Sequence, residues 1–253
     1  MRVNKHILAM QAGAAALLLS GAALADGMPT KRYDAPQPCC DANWNGFTVG
    51  VGVGVTTFVT RQTDVVTGPP AAPPAPPVPD PYDGLGGHGL LGTVMIGYDR
   101  MLSPGVVVGV FADYDFSDAE FTRTNNIVET IEMSDAWSLG ARIGLVRNCC
   151  TLWYVNAGYT NAHFKYTFSD GIATFGHKER VDGWFAGLGV EQQIGRNLGL
   201  KLEYRYSHLD DSGLSFHDRG NNRHDMTFEP ETHSVRLGVT YRFSRDRDHV
   251  PLK

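Results

Sequence analysis

Cysteine is scarce in these 253 residues, and the four present stand as two adjacent pairs, Cys39-Cys40 and Cys149-Cys150. So few, so placed, they exclude a small disulfide-dense scaffold and match no zinc-site spacing. Long apolar runs are missing as well. No window beyond the first two dozen residues holds eighteen apolar residues, which excludes a transmembrane helix. Charge is thin at 19%, against ~25% in ordinary soluble domains, and no block of one sign offers a nucleic-acid surface. Motifs of catalysis are absent too: there is no GxSxG, HExxH or phosphate-binding loop. His233-Ser234, with Glu231 nearby, has the residue types of a lipid-modifying hydrolase. On one strand, however, consecutive residues point to opposite faces, out of mutual hydrogen-bond reach. Neither an enzyme nor a cofactor is expected.

What the chain does have begins with a leader. Arg2 and Lys5 precede an apolar or small stretch, Ile7 to Leu19, and Ala23-Leu24-Ala25 has the small-x-small form of a signal-peptidase site. Residues 1–25 are therefore read as a signal peptide cleaved after Ala25. Its loss takes away two positive charges and no negative ones, moving the net charge from −5 to −7. Residues 26–43, polar and containing Pro29, Pro36 and Pro38, read as a periplasmic lead without regular structure.

From Trp44 onward the pattern has period 2. In the last segment Val235, Leu237, Val239, Tyr241 and Phe243 fall on one face and Arg236, Gly238, Thr240 and Arg242 on the other. Leu198, Leu200, Leu202, Tyr204 and Tyr206 alternate in the same way with Gly199, Lys201, Glu203 and Arg205. Residues 137–145 and 47–55 repeat the pattern, and segments 88–99, 105–117, 151–168 and 180–194 complete a set of eight. A soluble sandwich also alternates, but several of these strands reach the ~9–11 residues needed to cross a bilayer at a tilt. Their second face of Gly, Thr and mixed charges suits a polar lumen. Lipid further requires closure, because an open edge would leave backbone groups unpaired. The expected fold is all-β: an eight-stranded antiparallel up-and-down transmembrane barrel over residues 44–243. The gaps alternate, short at 101–104, 148–150 and 195–197, long at 58–87, 118–133, 169–179 and 212–230. Short periplasmic turns and long external loops put both chain termini in the periplasm, with a polar tail, 244–253, after the last strand.

Two motifs carry a family resemblance. Trp44-Asn45-Gly46-Phe47-Thr48-Val49-Gly50 resembles the opening strand, and His233 to Phe243 the closing strand, of small alphaproteobacterial outer-membrane barrels. These are the opacity-type or porin-family proteins of Gram-negative bacteria, similar in fold to the membrane domain of outer-membrane protein A. The resemblance implies location in the outer membrane, insertion by the barrel-assembly machinery, and roles in envelope integrity and surface interaction. It also implies that Val235, Leu237, Val239, Tyr241 and Phe243 form the insertion signal, although ten residues follow Phe243 here.

Several residues are candidate sites. Arg142, Glu191, Lys201, Glu203, Arg205, Arg236 and Arg242 should face the lumen, with Asp113 and Asp115. They form either a salt-bridged plug or the charged wall of a narrow pore, and the small bore of eight strands favours the plug. In an exported protein Cys39, Cys40, Cys149 and Cys150 suit disulfides tying the lead to the barrel base, with a metal site as the alternative. Seven histidines fall in external loops or outer strand ends; His217-Asp218 and His224-Asp225 share one loop and are weak metal candidates beside ordinary loop composition. Gly68–Pro81 contains eight prolines and suits a polyproline II surface loop or a docking segment. Trp44, Trp153, Tyr159, Tyr204, Tyr206 and Tyr241 are expected at the lipid–water boundaries. The function expected is a structural barrel that presents external surface, a surface antigen for adhesion or host contact. The alternatives are a narrow channel for ions or small solutes and, more distantly, a lipid A-modifying enzyme. The expected partners are outer-membrane lipid, lipopolysaccharide, the assembly machinery and a ligand at the loops; nucleic acid is not among them.

Overall fold

A computed structural model describes residues 44–243 apart from 68–77, 125–127, 149, 170–173 and 218–222. The signal peptide, the lead, the tail and most of the Pro-rich loop lie outside the described residues. Nine strands follow in order: β1 (Gly46–Thr67), β2 (Val78–Ser103), β3 (Val106–Thr124), β4 (Val128–Arg147), β5 (Thr151–Ser169), β6 (Thr174–Gln193), β7 (Leu198–Leu209), β8 (Ser212–His217) and β9 (Arg223–Phe243). Each of β1 to β7 pairs antiparallel with the next, β7 pairs with β9, and β9 returns to β1. The closing seam runs from Phe47↔Phe243 to Thr67↔Arg223. β8 is no ninth stave. His208 of β7 lies opposite Glu231, and Ser212 of β8 opposite Phe228, so β8 resumes the same side of β9 after a break at Asp210-Asp211. The ring is eight-stranded.

Alternation places the residues as the sequence indicates. Val49, Val51, Val53 and Val55 of β1 face outward, with Ile96 of β2, Leu139 of β4 and Leu188 of β6. Val235, Leu237, Val239, Tyr241 and Phe243 are all exposed on the outer wall of β9. Aromatic rings gather at two levels. Phe47 meets Tyr98 at 5.0 Å and Tyr241 meets Phe243 at 4.8 Å near the turns. Trp137 meets Tyr159 at 5.2 Å and Trp184 meets Tyr206 at 5.7 Å toward the other end. Trp44 does not join them. It lies on the even-numbered, inward register of β1, fully buried, with the Arg242 guanidinium 4.6 Å above its ring. At the turn end Gly105 takes φ 88° between β2 and β3, and Asn148 takes φ 51° after β4, a left-handed conformation that asparagine tolerates.

The strands run further outward than expected. The segments 58–87, 118–133, 169–179 and 212–230 are in large part strand, not loop. Above the outer aromatics an arm meets water or an apolar filling instead of lipid, so an uninterrupted two-faced pattern is not required. A bulge between Met133 and Asp135 also swaps the faces of β4. Odd-numbered residues such as Trp137 and Leu139 point out below it, while Met133 and Ile131 are buried above it.

At this height the ring divides. Pairing of β2 with β3 is continuous only as far as Leu91↔Ser117, with one further pair at His88↔Glu120. Pairing of β6 with β7 stops at Gly183↔Leu209. Two seams therefore separate two four-stranded sheets, one built from the outer arms of β2, β1, β9 and β8, the other from those of β3, β4, β5 and β6. Phe58 and Phe228 of the first pack with Ile131, Met133, Phe164, Tyr166 and Val181 of the second in one buried apolar cluster.

Candidate functional site

The barrel interior is filled in layers. Nearest the turns, Trp44, Val107, Leu152 and Tyr154 form a small apolar floor. Above it come, among the described residues, ten buried charges, five carboxylates (Asp99, Asp113, Asp115, Glu191, Glu203) and five cations (Arg142, Lys201, Arg205, Arg236, Arg242). Every lumen residue expected from the sequence is among them.

The charges make two tiers. In the lower, Arg142 donates Nε to Asp99 at 2.8 Å, Nη2 to the same carboxylate at 2.5 Å and Nη1 to Glu191 at 2.9 Å. Arg242 Nη2 closes the ring, donating to Glu191 at 3.0 Å and Asp99 at 3.2 Å. Thr240 donates to Glu191 at 2.9 Å. In the upper tier Arg205 holds Asp113 in a two-pronged pair at 3.0 and 2.7 Å and donates to Glu203 at 2.8 Å. Arg236 donates to Asp115 at 2.7 Å, and Lys201 to Glu203 at 3.3 Å. Tyr154 joins the tiers: its hydroxyl donates to Glu203 at 2.8 Å while Arg142 lies over its ring at 5.2 Å. Buried ions persist only when paired and hydrogen-bonded, and these are.

Glycine makes the room. Gly140 and Gly158 face one another across β4 and β5, flanked in register by Phe111 and Phe185. The two rings lean over the glycines to 6.0 Å from each other, and Arg205 stacks at 4.3 Å on Phe185. A Cβ on Gly140 would fall 2.6 Å from the Phe185 ring and 2.9 Å from that of Phe111. The void left between the upper tier and the apolar cluster above is about 10 Å³, lined by Thr56, Asp115, Ser207, Ser234 and Arg236, and a second of that size lies beside Lys201. Each has room for about one water.

Asp99 is the lumen residue that sequence reasoning missed. It stands last in the segment 88–99, whose apolar face ended at Tyr98, and was assigned to neither face. Its inward register, shared with Thr93 and Met95, was the available signal.

Other candidates fall elsewhere. Ser234 is buried and accepts from Arg236 Nε at 3.2 Å, whereas His233, on the opposite face, meets the Tyr204 hydroxyl at 2.8 Å. The strand thus holds them apart. Cys150 is partly exposed and has no disulfide partner among the described residues; Cys39, Cys40 and Cys149 lie outside them. Register puts His224 opposite Phe216 and His217 opposite Arg223, while both imidazoles lie outside the described side chains.

On the outer wall, just above the aromatics, Asp135 collects Tyr114 at 3.1 Å, His163 at 2.9 Å and Arg180 at 2.7 Å. Burial by itself would raise this carboxyl; the hydrogen bonds from His163, Arg180 and Tyr114 outweigh it and hold the group below the usual carboxylate range.

The sequence matches the model of the outer membrane protein beta-barrel domain over residues 12–243. The chain belongs to this family. It is 29% identical over 167 residues to the 31 kDa outer-membrane immunogenic protein of Brucella melitensis, covering 61% of this chain and 67% of that protein, and equally similar to the Brucella suis protein of the same name. Among solved structures it is similar to Ail, the attachment invasion locus protein of Yersinia pestis (15% identity, TM-score 0.38, 79% of this chain and 99% of that one). It is also similar to the outer membrane protease OmpT of Escherichia coli (8% identity, TM-score 0.47, 78% and 97%). Family membership agrees with the closed, lipid-faced wall: this is a β-barrel of the bacterial outer membrane.

Proposed function

We propose that the protein is a structural barrel with a closed lumen, whose work is to brace the envelope and to display its outer arms as a recognition surface. The observation that carries the reading is the interior: charges of both signs in equal number, paired throughout, between two apolar layers. The channel alternative needs a continuous wet path, and the voids beside the network are water-sized. A hydrolase centred on His233 and Ser234 is disfavoured by their opposite faces. The relatives named immunogenic outer-membrane proteins support exposure of the external arms. Lipid and lipopolysaccharide would be neighbours of the aromatic-flanked wall, and the outer face of β9 would be what the assembly machinery reads.

Conductance of the refolded mature protein in a planar lipid bilayer tests this. The expected record is flat, with folding checked on the same sample by its heat-modifiable gel mobility. Steady unitary steps would overturn the closed lumen and make Arg142, Arg205 and Glu203 selectivity residues.

A further inference from the structure

The outward wall carries its charges differently at its two ends. Toward the outer arms they come as pairs: Arg180 with Asp135 at 2.7 Å, Lys165 with Glu132 at 2.9 Å and Arg61 with Glu229 at 3.1 Å. At the turn end the exposed charges of the described residues are Arg100, Arg147 and Arg196. The carboxylates of that end, Asp99 and Glu191, face inward and are held by Arg142 and Arg242. The three exposed guanidiniums have no carboxylate partner among the described residues.

Arg100 differs from the other two in what adjoins it. It stands two residues beyond Tyr98 on the same face of β2, and Tyr98 meets Phe47 at the level of the lipid–water boundary. Both Tyr98 and Arg100 open onto a groove of about 580 Å³ in the outer wall, a volume within the ~300–1,000 Å³ of small-ligand sites. Register sets Tyr98 in line with Ala141 and Ala157, and Arg100 in line with Ile143 and Val155, across β2 to β5. On the outward face Ala141 stands between Leu139 and Ile143, and Ala157 between Val155 and Tyr159, so two methyls floor the groove among longer neighbours. Its occupant must be apolar along the alanines and anionic beside Arg100. A second copy does not answer this. A twofold axis along the membrane normal keeps both copies at one depth, so this face against itself would set two unpartnered guanidiniums at the same level.

We propose that this groove seats one anionic glycerophospholipid of the periplasmic leaflet, with an acyl chain over Ala141 and Ala157 and the headgroup phosphate on Arg100. The arginine stem lies along the apolar wall while its head reaches the headgroup level, and the planar guanidinium donates two parallel N–H groups to phosphate oxygens. A zwitterionic lipid carries its own ammonium beside the phosphate and gains less. The short turns put this end in the periplasm, so the phosphate is that of a glycerophospholipid and not of lipopolysaccharide, the outer-leaflet lipid. The site lies on the lipid-facing wall and stands whether or not the lumen conducts.

The test uses the refolded full barrel in neutral detergent, equilibrated with equal amounts of phosphatidylglycerol and phosphatidylethanolamine of the same acyl chains. Native mass spectrometry reads which lipid stays bound. We expect one phosphatidylglycerol retained with a preference of about fivefold, the effect of one basic residue at a membrane surface. Arg100→Gln should bring the ratio to about one, whereas Arg147→Gln and Arg196→Gln, away from the groove, should keep it. Ala157→Leu and Ala141→Leu fill the groove from the lipid side and should lower retention of both lipids. All these side chains are exposed, and folding of each variant is checked by its heat-modifiable gel mobility. Equal retention of the two lipids by the parent would overturn the proposal. So would an equal loss of preference in Arg196→Gln, which would mean diffuse attraction to the rim, or full retention in both leucine variants, which would place the chain elsewhere. A dimer mass in place of the lipid adduct would give the groove to a second copy and overturn it as well. An electrically silent barrel without lipid preference keeps the closed-lumen reading and loses this one; a conducting barrel with the preference does the reverse.

Discussion

Arg205 shows what a single lumen residue does. It touches Asp113, Glu203 and the Phe185 ring, and its side chain is 1% exposed. Removing it takes the two-pronged partner from buried Asp113, leaving Arg236 at 3.9 Å, and leaves Glu203 to Lys201, so Arg205→Ala should cost about 3–5 kcal/mol, read as a fall in the urea midpoint of the refolded barrel. Arg236→Ala and Glu203→Ala should also destabilise; unchanged midpoints for both would mean a hydrated interior. Asp135 gives a pH prediction. Its folded pKa is depressed, so the stability it contributes is present above the unfolded value of about 4 and is lost as pH falls through the folded one. Asp135→Asn should be less stable than the parent at pH 7, and the gap between their melting temperatures should narrow as the pH is taken progressively below about 4. At this scale the sequence was informative, because strand parity assigns each charge an inside or an outside. Trp44 and Asp99 escaped for one reason: each stands at a strand end, where neighbours on only one side reveal its parity.

Among elements, β4 and β5 depend on the glycine pair that faces inward between them. Gly140→Leu has to displace Phe111 and Phe185 and with them the stacked Arg205. Overpacking usually costs about 1–3 kcal/mol, and the loss of ion-pair geometry adds to it. The expected result is a lower yield of heat-modifiable, folded barrel, whereas Gly195→Leu, in the open β6–β7 turn, should fold like the parent. The spanning halves of the strands were legible because lipid and lumen impose opposite demands on alternate residues. The outer arms were not. The Ser134 bulge exchanges the faces of β4 in mid-strand, and the prolines of the β2 arm imitate a loop. No period-2 reading survives a change of face it has not detected.

As a whole, the molecule is a single wall where it meets lipid and a pair of facing sheets where it leaves it. The apolar cluster between those sheets closes the outer end, so its large-to-small variants separate closure from stability. Phe164→Ala, at a fully buried position between Phe58 and Tyr166, should destabilise by about 3–5 kcal/mol. It should nevertheless leave the bilayer record flat, because the charge tiers below remain paired. Current appearing in Phe164→Ala alone would shift the seal from the charges to the apolar cap. The seams themselves could not be read beforehand, since neither proline content nor alternation states which arms stop pairing.

The equality of the ten lumen charges has an electrical consequence. Work done by a transmembrane voltage on a charge is about 2.3 kcal/mol per elementary charge per 100 mV. Five positive and five negative side chains displaced together sum to no work at all. The filling is therefore invisible to the membrane potential: polarising the bilayer in either direction neither ejects it nor seats it more firmly.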